Sequence, residues 1–254
     1  MAINGIDDRV LLIDLGNSSL KWCWLADGVS SARAVPHKDI SASAFAPQLW
    51  GDVVTPDRVL VASVASPAWR QELEAWMSGA WGVKPEWIVA RRSMLGVTNG
   101  YSKPEQLGVD RWLTLLAVHH DMRSPACIVD SGTATTLDVI DRTGNHLGGL
   151  ILPGIGTMNE VLLQRTYIPQ MQGASVEGLL GRDTPSAVKL AALLATAGMV
   201  DKVLLEIEAE LAEKVPLVVT GSGARSLEPR LNQTCIMRPG LVLRGLALVA
   251  GYSS

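Results

Sequence analysis

The segment Asp14–Lys21 reads DLGNSSLK, and Asp130–Asp138 reads DSGTATTLD. Each sets an aspartate at the end of an apolar, β-rich run, then a glycine two residues on, then hydroxyl and amide side chains. Those residue types suit phosphate. Glycine lets the backbone approach a ligand closely, and the N–H groups of a tight turn share a concavity that favours an anion. Asn17, Ser18, Thr133 and Thr135 add side-chain donors. The carboxylates of Asp14 and Asp130 cannot hold phosphate directly; they suit a cation, or its water shell, that bridges to it. Neither segment is a Walker A loop, since no G-x-x-x-x-G-K-[ST] run occurs. A lone D-x-G turn is also an ordinary hairpin. A third glycine-rich strand end, Val218–Ala224 (VVTGSGA), could grip an adenosine or simply pack a strand against a helix.

The two aspartate turns fall in register. An offset of 116 residues sets Ile13 on Val129, Asp14 on Asp130, Gly16 on Gly132 and Ser19 on Thr135, and it is close to half of the 254-residue chain. Two similar halves facing one another across a cleft, 1–120 and 121–254, are the simplest organisation, with a boundary near Asp121–Pro125. The surrounding elements must position these turns. RVLLIDLG and SLKWCWLA read as a strand–turn–strand, RVLVASVAS as a further strand before a helix from Pro67, and PEWIVA as a short strand. GVTNGYSKPEQLG is a polar loop, and VDRWLTLLAVHHDM is a helix with Trp112, Leu115, Leu116 and His119 on one face. The second half continues with ACIVDSG, TATTLDVID and LILP as strands. A helix GTMNEVLLQRT comes next, then SAVKLAALLATAGMVDKVLLEIEAELAEK as one long helix or as two divided near Gly198, then the strand PLVVTGSGA and a closing helix PGLVLRGLALVAGY. Strands alternating with helices define an α/β class.

Apolar residues make up 48% of the chain, charged residues 19%, and the net charge is −3. That composition supports a globular core, and the lack of a Lys/Arg run excludes nucleic acid as an obligate partner. The longest apolar stretch, Leu190–Val200, is shorter than the roughly 20 residues a bilayer span needs. Asp7 and Asp8 stand where a signal peptide would be basic. The reading is a soluble, cytoplasmic protein with no membrane association. Cys23, Cys127 and Cys235 lack C-x-x-C spacing and read as reduced, buried thiols, and the histidines lack zinc-ligand spacing.

Together these features resemble the acetate and sugar kinase, Hsp70 and actin superfamily, whose members carry two ribonuclease-H-like domains, a phosphate-binding hairpin in each, and an adenosine-binding turn. Within it the chain resembles the type III pantothenate kinases, on DLGNSSLK (Asp14–Lys21), PEQLGVDR (Pro104–Arg111), DSGTATTLD (Asp130–Asp138) and GGLILPG (Gly148–Gly154). The resemblance implies ATP-dependent phosphorylation of pantothenate to 4'-phosphopantothenate, the first step of coenzyme A biosynthesis. It implies that Asp14, Leu15, Gly16, Asn17, Ser18, Ser19, Leu20 and Lys21 bind the ATP phosphates and that Thr133 touches the nucleotide. Asp130 would hold a monovalent cation, K⁺ or NH4⁺. Tyr101, Gly108, Val109, Asp110 and Arg111 would bind pantothenate, with Asp110 as the catalytic base. Thr184 would reach a pantothenate in the partner subunit of a homodimer. Mg²⁺ should accompany ATP, held mostly by phosphates and waters, with Asp14 the leading protein ligand.

The chain departs from the family pattern in three places. Ser18 replaces the usual threonine, Ser222 interrupts the adenosine turn, and KLAALLATAG lacks several glycines after Thr184. Read from the residues alone, the roles stay open. Asp110 could take the proton of an attacking hydroxyl or cap a helix. Arg111 could clamp an acceptor or form a surface ion pair, and Tyr101 could close over the acceptor or pack its loop. Lys21 could reach a phosphate or be solvated. Asp138 reads as structural. Two other functions compete: a kinase of the same superfamily acting on another small alcohol or acid, and a non-catalytic nucleotide-binding regulator.

Overall fold

The computed structural model describes residues 9–37, 40–168 and 175–251. The acidic start around Asp7 and Asp8 lies outside them. The chain forms two compact units, Met1–Met122 with Gly240–Ser254, and Arg123–Pro239.

The first unit begins with β1 (Val10–Leu15), β2 (Ser19–Trp24) and β3 (Arg33–Pro36), followed by α1 (Ala42–Trp50), β4 (Arg58–Ser63), α2 (Pro67–Trp81) and β5 (Glu86–Trp87). A small hairpin, β6 (Ser93–Met94) and β7 (Val97–Thr98), leads through a single 3₁₀ turn to α3 (Val109–Met122). The sheet order is β3-β2-β1-β4-β5. The first three strands run antiparallel, and β4 and β5 run parallel to β1. β1 is buried along its whole length, which is why VLLIDL is an unbroken apolar run with one acid near its end. Helix α2 starts at a Ser66 cap that accepts from the Trp69 N–H, carries Pro67 in its first turn and stops at Gly82, whose φ of 67° favours glycine. On one face of the sheet Trp50 sits 6.0 Å, centroid to centroid, from Trp22, Trp76 and Trp81, tying α1 and α2 to β2. Truncating such a buried tryptophan costs about 3–5 kcal/mol.

The second unit runs β8 (Ala126–Ser131), β9 (Ala134–Ile140), β10 (His146–Pro153), α4 (Ile155–Arg165), α5 (Thr184–Leu211), β11 (Leu217–Thr220), α6 (Ala224–Leu227) and β12 (Cys235–Met237). Its sheet order, β10-β9-β8-β11-β12, repeats the first sheet strand for strand, with the same directions. Of the two readings, one helix or two divided near Gly198, the first holds: α5 is one helix of 28 residues. A helical glycine costs only about 1 kcal/mol, and the flanking Leu193, Ala197, Val200 and Leu204 are all buried. Asp138 is structural: its Oδ1 lies 2.9 Å from His146 Nε2, both side chains buried between β9 and β10.

The closing helix, α7 (Leu241–Ala250), corrects the expected division. The sequence places residues 121–254 together, yet α7 packs on α3 in the first unit. Gly245 lies so close to Leu113 that an added Cβ would sit 2.7 Å from the Leu113 Cβ. Arg244 bonds Asp121 at 2.7 Å, near the end of α3.

Candidate active site

The first aspartate turn is built by strand register. Asp14 pairs with Lys21 and Leu15 with Leu20 across β1 and β2, and the Gly16 N–H closes the turn on the Ser19 carbonyl at 3.1 Å. Lys21 Nζ therefore stands 3.4 Å from Asp14 Oδ2, while 39% of the Lys21 side chain stays exposed. Asp14 itself is buried. Burial pushes its pKa up, the Lys21 ammonium pulls it down, and the carboxylate of Asp110 pushes it up again. Asp14, Lys21 and Asp110 thus share one electrostatic neighbourhood within this unit. Leu15, Leu20 and Val109 are buried apolar side chains and offer a ligand only backbone.

Asp110 is the second residue of α3, where a helix N-terminus favours negative charge. Its Oδ1 accepts the Arg111 N–H at 2.8 Å. Gly108 makes room for that rotamer, because a Cβ there would stand 2.5 Å from Asp110 Oδ1. Arg111 is buried rather than a surface ion pair. Its guanidinium donates to the Tyr101 hydroxyl at 2.9 Å, and its Cζ lies 5.5 Å from the centre of the Tyr101 ring. Arg92, which no sequence motif marks, organises the loop around Tyr101. Its guanidinium donates to the carbonyls of Asn99, Tyr101 and Ser102 at 2.9–3.1 Å. The buried Asn99 accepts the Tyr101 N–H at 3.0 Å and donates to Pro104 O at 3.2 Å. His37 is a second residue without a sequence signal: it bonds the carbonyl oxygens of Gly16 and Ser18.

The second aspartate turn is tighter. Gly132 N–H bonds Ala134 O at 2.9 Å, and Asp130 pairs with Thr136. The offset of 116 therefore holds through Gly132 and then slips by one. Thr135 matches Leu20, not Ser19, and Thr136 stands where Lys21 stands in the first turn. Thr135 is also fully buried, which removes it from the donors on the turn's surface. Glycines close over this turn. Gly154 N–H and Thr157 Oγ1 both bond Thr133 O, at 2.9 and 2.7 Å, and the Gly223 N–H bonds Ser131 O at 2.8 Å. At Gly221, φ is +92° and a Cβ would overlap Asp130 Oδ1 and Ser131 O. Ser222 lies between two glycines that each touch Asp130 or Ser131, so its insertion leaves the turn's packing intact.

Among the described residues no three His, Cys, Asp or Glu side chains gather as a metal cluster. Thr184 is the exposed first residue of α5, beside the Asp183 cap, and lines a cavity of about 560 Å³ with Leu162, Arg182 and Val188. Cys23 and Cys127 are buried, with thiols pushed up to about 11 and about 12, chiefly by burial. No helix among the described residues is long and apolar enough to cross a membrane.

The two matching sheets and their aspartate turns define an actin-like ATPase fold. Solved structures agree on the fold: a putative 2-dehydro-3-deoxygalactonokinase from Sinorhizobium meliloti superposes with a TM-score of 0.59 at 14% identity, covering 95% of both chains. An archaeal actin homolog superposes with a TM-score of 0.54 at 12% identity, covering 96% of this chain and all of its own. The family model for type III pantothenate kinase matches residues 10–206. A type III pantothenate kinase from Nitrosococcus oceani is 38% identical over 252 residues, covering 96% of this chain and 95% of its own. The chain belongs to the type III pantothenate kinase family.

Proposed function

We propose that the chain phosphorylates pantothenate with ATP, giving 4'-phosphopantothenate, the opening step of coenzyme A biosynthesis, and that Asp110 is its catalytic base. Family membership supports the reaction. The assignment of roles is supported by Asp110 and Asp14 lying in one unit, near enough for the Asp110 carboxylate to push the Asp14 pKa up.

Phosphoryl transfer needs placement, charge neutralisation and an acceptor for the hydroxyl proton. The turn Asp14–Lys21 takes the ATP phosphates, with Lys21 as a point charge held beside Asp14. Asp110 accepts the proton of the pantothenate hydroxyl as its oxygen bonds the γ-phosphorus of ATP and the bond to the β–γ bridging oxygen breaks, releasing ADP. Tyr101 and Arg111, bonded to each other, with Gly108 and Val109, form the acceptor wall. Asp14 is the carboxylate for Mg²⁺; burial disfavours its charge, and a cation beside it would offset that cost. Asp130, whose carboxylate stands at the turn end of β8, takes the monovalent cation, as the family resemblance implies. The bound cations would neutralise phosphate charge. Thr133 contacts the nucleotide.

A homodimer fits the surface of the second unit. The edge strand β10 exposes Leu150 and Ile151, the latter 65% exposed, and α4 exposes Val161 and Leu162. An apolar edge strand left open invites pairing. Thr184 would then serve a partner's pantothenate, and the enzyme would work in the cytoplasm. Coupled ADP release tests the reading: pantothenate-dependent turnover, stimulated by K⁺ or NH4⁺, supports it. Turnover only with another small alcohol or acid would favour a different kinase of the superfamily. ATP binding with no acceptor-dependent turnover would favour a regulator.

A further inference from the structure

His37 follows β3 directly and is 5% exposed. Its Nε2 lies 2.8 Å from the carbonyl oxygen of Gly16, and its own backbone N–H donates to the carbonyl of Ser18 at 3.2 Å. A carbonyl oxygen only accepts, so Nε2 carries the proton. The ring is held from its other sides by Trp69, with centroids 4.9 Å apart, and by Phe45 at 6.2 Å. Trp69 is itself fixed by its indole N–H on the Ile40 carbonyl, 2.9 Å away. One buried residue thus binds two carbonyls of the turn assigned to ATP phosphate.

Those carbonyls matter because of their charge. A carbonyl oxygen turned toward a triphosphate repels it, whereas stabilisation requires donors already oriented toward the anion. A free turn rich in Gly, Asn and Ser can rotate its peptide planes at little cost. We propose that His37 is a positioning residue for the phosphate turn: its imidazole N–H and backbone N–H hold the Gly16 and Ser18 carbonyls away from the nucleotide. The inference rests on the reading of Asp14–Lys21 as the ATP-phosphate turn. His37 moves no proton in this role and touches no substrate.

The test compares His37→Leu, which fills the space without a donor, with His37→Gln, whose amide N–H can reach the same carbonyl. Each substrate is varied in turn, and folding is checked by thermal unfolding. His37→Leu should raise KM for ATP about tenfold, since a lost buried hydrogen bond of about 1.4 kcal/mol is a tenfold effect. KM for pantothenate should change less than twofold, and His37→Gln should return KM for ATP to within about threefold of the parent. If His37→Leu does not fold, His37→Asn, too short to span the gap, replaces it with the same expectation. An unchanged KM for ATP in the donor-less variant overturns the inference. So does an equal rise in both KM values, or a failure of Gln to rescue. Asp14→Asn and Lys21→Ala serve as controls: if they raise KM for ATP and His37→Leu does not, only the role of His37 is lost. If all leave it unchanged, the phosphate-turn reading falls as well.

Discussion

Replacing Asp14 with Asn should stabilise the nucleotide-free protein while removing its activity. Asp14 is buried at the end of β1, and burial outweighs the attraction of Lys21, so its folded pKa stands above the ordinary carboxylate value. A group whose folded pKa is raised stabilises the fold when protonated, and that contribution is lost as pH rises through the folded pKa. Wherever Asp14 is ionised it therefore opposes folding. Asparagine keeps the shape and drops the charge. The opposing loss is the pair with Lys21, 3.4 Å apart and with the lysine 39% exposed. Such a solvated pair is worth at most about 1 kcal/mol, and the freed ammonium can turn to water. Relief of carboxylate burial is larger, since the effective penalty runs to several kcal/mol per ion. A net gain on the order of 1 kcal/mol, or about 2–4 °C in Tm for a chain of this size, follows. Thermal unfolding without nucleotide, from pH 4 to pH 8, reads the difference. The advantage of the variant should grow as pH rises above the ordinary carboxylate range, while kcat/KM falls at least about a hundredfold, on the scale of losing one group that stabilises transition-state charge. A variant less stable than the parent at pH 7, or a gap independent of pH, would show that burial of the Asp14 charge does not oppose folding.

Three further outcomes follow from the same geometry. Gly221→Ala places a side chain at φ +92° against Asp130 and Ser131 and should cost about 1–3 kcal/mol or more, seen as a lower unfolding midpoint. Arg92→Ala removes three bonds to loop carbonyls beside Tyr101 and should raise KM for pantothenate several-fold with KM for ATP unchanged, on the scale of about 1 kcal/mol per exposed hydrogen bond set. On the proposed homodimer, Ile151→Arg puts a charge on the open edge of β10, and sedimentation should find the parent as a dimer and the variant as a monomer.

Much of the fold was legible because its strands are apolar and its turns carry glycine. Both aspartate hairpins, α2, α3 and the closing helix all have clear periodicity or caps. Other features had no such signal. α1 is nine residues long and contains Pro47, and β3 is mostly exposed, so neither shows a clean apolar pattern. The position of α7 depends on a long-range fit of Gly245 against Leu113, which no local pattern encodes. The site divides the same way. Asp14, Lys21, Asp110 and Asp130 sit in local motifs, and strand pairing explains why Lys21 belongs with Asp14. The one-residue slip in the second turn was hidden, because a pattern of Gly and hydroxyl residues tolerates either alignment. Arg92 and His37 act on backbone carbonyls from a distance in sequence, and a carbonyl leaves no trace in residue identity.

Asp110 is the proposed acceptor of the pantothenate hydroxyl proton. The most direct measurement is pantothenate-dependent ADP formation, with 4'-phosphopantothenate identified by mass, for the parent and Asp110→Asn at saturating ATP, Mg²⁺ and K⁺. Asparagine keeps the shape of the α3 N-terminus but cannot take the proton, so kcat should fall about 10²–10⁴-fold with nucleotide binding retained. Turnover by Asp110→Asn equal to the parent, in a folded protein that still binds ATP, would contradict the account.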